Sequence, residues 1–139
     1  MTTTLRAIRA GLLVPLALLL AGAAPAAHAA PGQGLPGNWL RLAVTRGDAR
    51  AGDARGILLL CDPPQGHAHA ATACRQLAAA GGDIGRIPSR AGAMCPMLYA
   101  PVTASAHGVW DGRRVDYTHA FSNSCAMGAE TGAVFDLPG

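Results

Sequence analysis

Four cysteines and five histidines are the side chains of this 139-residue chain best suited to binding a metal or attacking a substrate. Cys61, His67, His69 and Cys74 form a C-x5-H-x-H-x4-C array, and thiolates with imidazoles are the donors that zinc prefers. The spacing contains no C-x2-C pair, the usual clamp of a small zinc site, and an oxidising compartment would tie up the thiols. The array therefore reads as a disulfide region with solvated loop histidines, and no metal or other cofactor is expected. Cys95 with His107 or His119 has the composition of a nucleophile and its base, but an oxidised cysteine cannot attack. No G-x-S-x-G elbow is present, and the carboxylates show no pairing of the glycosidase kind. Nothing here asks for an enzyme.

Met94-Cys95-Pro96-Met97-Leu98-Tyr99 is unusual for a different reason. It sets apolar side chains where a loop ordinarily carries Ser, Asn or Gly. Pro96 fixes its own φ and biases Cys95 toward extended backbone, and a crosslink at Cys95 would tie the stretch to the body of the fold. An extended, locked, apolar loop is what a protease cleft accepts as substrate. The same residues also suit the buried beginning of a strand. The motif alone does not choose.

The scaffold that must hold these residues begins after a leader. Arg6 and Arg9 precede an apolar run at residues 11–21 with six leucines, and Ala27-His28-Ala29 supplies an A-x-A cleavage signal. The run is shorter than the roughly 20 residues of a spanning helix, so residues 1–29 are expected to be a signal peptide and the product secreted. No later stretch is long and apolar enough for a membrane. Two of the 11 basic residues leave with the leader, and nine Arg against eight acidic residues remain, a net charge of about +1. With no basic cluster, nucleic acid is not an expected partner. All four cysteines stay in the mature part, and an even count in a small exported domain favours two disulfides. Spacing allows three pairings.

Residues 30–37 hold two prolines and three glycines and should form a flexible arm, leaving 38–139 as one domain. Residues 39–45 alternate, with Leu40, Leu42 and Val44 on one face of a strand. Residues 46–55 are a long turn, 57–60 a short buried strand, and 62–66 a loop. Residues 70–80 favour helix, with Cys74 and Leu77 on one side and Gly81-Gly82 as the stop. A strand is expected over 99–107, and Asp111-Gly112 is a hairpin signal, after which Val115, Tyr117, His119 and Phe121 alternate. Residues 122–130 connect, with a helical turn, to a last short strand at 133–136. About five mostly antiparallel strands with one or two helices on one face make an α+β two-layer domain.

Ala93-Met94-Cys95-Pro96-Met97-Leu98-Tyr99 with Pro101-Val102 resembles the reactive-site segment of the Streptomyces subtilisin inhibitor-like proteins. Gly108-Val109-Trp110-Asp111-Gly112 and Phe121-Ser122-Asn123-Ser124-Cys125 are similar to the family's stretch beyond that segment. Cys61-Asp62-Pro63, Ala73-Cys74 with Leu77, and Gly81-Gly82-Asp83 resemble the family's first disulfide region, and Leu40-Arg41-Leu42-Ala43-Val44-Thr45 its first strand. The match runs in one order over most of residues 38–136. The chain departs from the family at His67-Ala68, where His-Pro is usual, in a shortened loop from Gly66, and in the tail Asp136-Leu137-Pro138-Gly139.

The resemblance implies a secreted inhibitor of extracellular serine proteases, subtilisin-like and in part chymotrypsin-like, and not an enzyme. It implies a five-stranded antiparallel sheet with two short helices on one face, usually paired as a homodimer. The implied disulfides are Cys61–Cys74 and Cys95–Cys125. The implied reactive bond is Met97–Leu98, with Met97 in the protease's primary specificity pocket and Met94 in a second apolar subsite. Cys95, Pro96 and Tyr99 complete the contacting loop. Asn123, close to Cys125 in sequence, has two readings: a hydrogen bond to the loop from behind, or a surface turn.

Overall fold

The computed structural model describes residues 34–47 and 54–138. The leader, most of the arm and the middle of the turn between the first two strands lie outside the described residues. Leu40, Leu42 and Val44 at alternate positions produce β1 (Trp39–Arg46), the continuous apolar run at residues 57–60 produces β2 (Arg55–Cys61), and a two-residue strand β3 (Pro64–Gln65) comes next. Helix α1 (Ala70–Ala79) and a 3-10 turn at Ile84–Arg86 precede a long loop. Strands β4 (Val102–Trp110) and β5 (Arg113–Phe121) form a hairpin, and α2 (Ser124–Thr131) comes last. The sheet order is β3-β2-β1-β4-β5, with every neighbouring pair antiparallel.

Register decides which face is the core. Leu40 stands opposite Leu59 and Gly108, and Leu42 opposite Ile57 and Ala106. Leu40, Leu42, Leu59, Ala104 and Ala106 are buried in one cluster with Ala73, Cys74 and Leu77 of α1 and Met127 of α2. Both helices therefore cover the same face, as side-chain alternation along each strand requires.

Two turns are legible in the sequence because their backbone demands particular residues. Asp111 and Gly112 have φ of 47° and 73°, the left-handed pair that a two-residue hairpin turn uses. Helix α1 ends where the Gly82 N–H donates to the Leu77 carbonyl at 2.8 Å, with Gly82 at φ 81°. A Cβ on Gly82 would lie 2.4 Å from Trp110 Cγ, so only glycine lets the helix end close over that indole.

Four expectations are corrected. The strand expected from residue 99 begins at Val102, because Tyr99 points into solvent. Residues 122–130, expected as a connection with one helical turn, hold the two-turn helix α2, capped by Asn123, whose Oδ1 accepts from the Ala126 N–H. The strand expected over 133–136 does not form. Val134 and Phe135 are adjacent and both buried, whereas neighbours on a strand face opposite sides. Local bonds from Val134 N to Thr131 O and from Asp136 N to Ala133 O turn the chain so that both enter the core. The fifth strand is instead Pro64–Gln65, inside the expected loop.

Candidate functional site

The chain between the 3-10 turn and β4 has no regular structure, yet it is fastened at both ends and in the middle. Arg90 N donates to Ala129 O at 2.7 Å, and Ala100 N to Ser122 O at 2.9 Å. The Cys95–Cys125 disulfide joins the loop to the first turn of α2, with the Cα atoms 5.6 Å apart. Asn123 is buried behind the loop, and its Nδ2 donates to Pro96 O at 3.2 Å and to Leu98 O at 2.9 Å. Its other amide atom is engaged as the cap of α2, so the orientation of the group is set from both sides. One side chain thus grips the carbonyls flanking Met97.

What the loop presents outward is apolar. Met94 is 95% exposed, Met97 105%, Leu98 63% and Tyr99 80%. Burying a side chain such as Met or Leu would contribute about 1.5–3 kcal/mol each, so holding these in water forgoes a sizeable stabilisation. The segment is not the buried start of a strand. A groove of about 1040 Å³ between the helices and the chain end is lined by residues such as Val44, Thr72, Met127 and Phe135, and no residue from 94 to 99 reaches it. The apolar display is convex and suits insertion into another protein's cleft rather than enclosure of a substrate.

The other sequence candidates are placed elsewhere. Cys61 and Cys74 form the second disulfide, with the Cα atoms 5.5 Å apart, tying β2 to α1. Cys95 is oxidised, so it offers no nucleophile to His107 or His119. His107 Nδ1 lies 3.2 Å from Asp116 on the sheet face away from the helices. Among the described residues no group of three His, Cys, Asp or Glu could hold a metal. His67 is not a solvated loop histidine: its Nδ1 accepts the His69 N–H at 2.8 Å and its Nε2 lies 3.2 Å from Val134 O. Accepting at Nδ1 places the ring proton on Nε2, which donates to that carbonyl. His69 itself reaches Asp136 at 3.2 Å.

This latch has a pH consequence. Burial is the main cause lowering the His67 pKa below its ordinary 6.5; His69 also lowers it, while the Val134 bond and Asp136 partly offset this. A base favoured neutral in the fold binds fewer protons folded than unfolded near that pH. Its contribution is complete above 6.5 and is lost as pH falls through that value and below it. Melting temperature measured from pH about 7.5 down to about 5 is expected to fall more steeply in the wild type than in His67→Gln. Parallel curves would remove His67 as the cause.

The chain is similar to known proteins over most of its length. The subtilisin inhibitor-like family model matches residues 36–123. A Streptomyces avermitilis protein, provisionally named a serine protease inhibitor, is 58% identical over 137 residues, 99% of this chain and 90% of the relative. The subtilisin inhibitor of Streptomyces albogriseolus is 42% identical over 123 residues, 86% of this chain and 81% of that protein. Among solved structures, Streptomyces caespitosus sermetstatin in complex with Bacillus licheniformis subtilisin matches with a TM-score of 0.58 and 33% identity, over 70% of this chain and 96% of that one. The match across most of the domain, carried by relatives that align over nearly the whole chain, makes this protein a member of the subtilisin inhibitor-like family, a family of protease inhibitors and not of enzymes.

Proposed function

We propose that the protein is a secreted inhibitor of subtilisin-type serine proteases that offers Met97–Leu98 as a scissile bond and resists completing its cleavage. The observation that carries this reading is Asn123, whose amide holds Pro96 O and Leu98 O, one on each side of that bond. Backbone from Met94 to Tyr99 would pair with the edge of the protease cleft as an added strand. Pro96 and the Cys95 crosslink remove conformations before binding, so less ordering entropy is lost on association.

The chemistry belongs to the protease. Its serine attacks the Met97 carbonyl carbon, the C–N bond to Leu98 breaks, and the Leu98 nitrogen takes up a proton to become an amine. In an ordinary substrate that amine diffuses away. Here the acyl side stays fixed through Cys95–Cys125 and the Pro96 bond, and the amine side through the Leu98 bond and the Ala100–Ser122 bond. Held beside the acyl-enzyme at high effective concentration, the amine attacks before water does and re-forms the peptide. Met97's unbranched thioether suits deep apolar pockets, so chymotrypsin-like enzymes are included among the targets. Titrating a subtilisin-type protease with the mature protein is expected to abolish activity at one chain per enzyme. Unaffected activity, or inhibition that vanishes as the protein is consumed, would overturn the proposal.

The sheet face away from the helices is the proposed homodimer surface. The partly buried Leu60 and Val109 stand there on either side of the shielded Trp39, an apolar cluster at the end of β4 far from the loop. Seven residues of strand, at about 3.4 Å each, separate Val109 from Val102, where the loop joins β4. Light scattering should give twice the chain mass, and saturation with protease should keep both chains together. Dissociation on binding would place the loop in the interface and contradict this arrangement.

A further inference from the structure

Peroxides oxidise thiolates and thioethers, and this fold distributes such sulfur unevenly. All four cysteines are in disulfides, which leaves no thiolate to begin the cysteine oxidation ladder. Met127 is 7% exposed and lies in the core; the indoles of Trp39 and Trp110 are similarly shielded at 8% and 4%. Met94 and Met97 are fully open to solvent. Among the described residues, the accessible reduced sulfur is thus confined to two thioethers, both on the one loop that is offered outward.

We propose that Met97 is a reversible oxidation site through which peroxide switches the inhibitor off. This rests on the reading of Met97 as the residue that enters the protease pocket. In the reaction the sulfur donates an electron pair to one peroxide oxygen and the O–O bond breaks. Sulfur is oxidised by two electrons to the sulfoxide, and hydrogen peroxide is reduced to water. In the free protein the new oxygen is solvated and touches nothing, so the disulfides and the Asn123 bonds are undisturbed. In the complex that oxygen must leave water for an apolar pocket without a donor. A buried acceptor left unpaired weakens binding by about 10- to 100-fold. A methionine sulfoxide reductase removes the oxygen as water at the expense of a dithiol, which becomes a disulfide, and so restores the thioether. Met94 is open to the same oxidation; its side chain enters a different subsite, which makes it the internal comparison.

The test treats the mature wild type, Met94→Leu and Met97→Leu with hydrogen peroxide, quenches with catalase, and maps oxygen uptake by peptide mass. Subtilisin inhibition is measured for each protein before and after treatment, with the melting curve as a check on folding. Wild type and Met94→Leu are expected to carry oxygen at Met97, keep their melting curves and lose about 10- to 100-fold in affinity. Met97→Leu, which still takes up oxygen at Met94, should lose clearly less than the wild type relative to its own untreated sample, and sulfoxide reductase should return the wild type to its starting affinity. A wild type fully oxidised at Met97 that inhibits as before would overturn the inference. So would a Met97→Leu protein that loses as much as the wild type. Untreated wild type that fails to inhibit at all is a different result: it defeats the inhibitor reading and the switch with it.

Discussion

Met97→Lys is expected to turn the protein into an inhibitor of trypsin. Met97 makes no contact that the fold depends on, being fully exposed, so lysine changes what enters the pocket and leaves the loop's backbone as it was. A trypsin-like pocket carries a carboxylate at its base, and methionine leaves that charge buried without a partner. Removing one member of a buried ion pair costs about 3–5 kcal/mol, and supplying the missing cation should recover a comparable amount. Trypsin inhibition should therefore tighten by at least about a hundredfold, while inhibition of enzymes with apolar pockets weakens. Met97→Pro should weaken inhibition of every target, because the ring removes a backbone N–H that an added strand needs. An unchanged trypsin constant for a folded Met97→Lys protein would mean that the primary contact lies at another residue.

Replacing both members of one disulfide by serine should separate stability from loop rigidity. The Cys95–Cys125 crosslink spans 30 residues and Cys61–Cys74 spans 13. Chain-entropy estimates give losses of about 3.6 and 2.9 kcal/mol, so the two double variants should melt at similarly lowered temperatures. Their behaviour under protease should differ. Without Cys95–Cys125, the acyl side of the proposed scissile bond is held mainly by the Asn123–Pro96 bond. That variant is expected to inhibit briefly and then be degraded, while Cys61→Ser/Cys74→Ser keeps inhibiting below its melting temperature. Equal persistence of both, followed by activity assays over hours, would show that the loop's crosslink is not what delays release.

The elements legible in the sequence are those whose signals are local. Leu40, Leu42 and Val44 recur at every second position, Asp111-Gly112 supplies a left-handed pair, and Gly81-Gly82 stops α1. What escaped depends on partners distant in sequence. Ser124–Thr131 contains a glycine and no continuous apolar stripe; the helix is held by its Asn123 cap and by Cys125 bonded to Cys95. Pro64–Gln65 is a strand only because Leu60 and Cys61 are there to pair with it. Val134-Phe135 looks like a strand by composition, and only the shape of the core shows that both must face inward. In the loop, the residue types of Met94, Met97 and Leu98 fit burial and display equally well. Their exposure, and the placement of the Asn123 amide across two carbonyls, become visible only in space.

The position at which a protease cuts bears most directly on the role of Met97. Cys95 precedes the Met97–Leu98 bond and Cys125 lies beyond it, so cleavage there leaves the two pieces covalently joined. Prolonged incubation of the mature protein with a catalytic amount of subtilisin, then N-terminal sequencing with the disulfides intact, should give a single new terminus beginning at Leu98. The nicked chains should remain one molecule and retain inhibition. A terminus elsewhere, or a cut at Leu98 that abolishes inhibition as fast as it appears, would contradict a trapped-substrate loop centred on Met97.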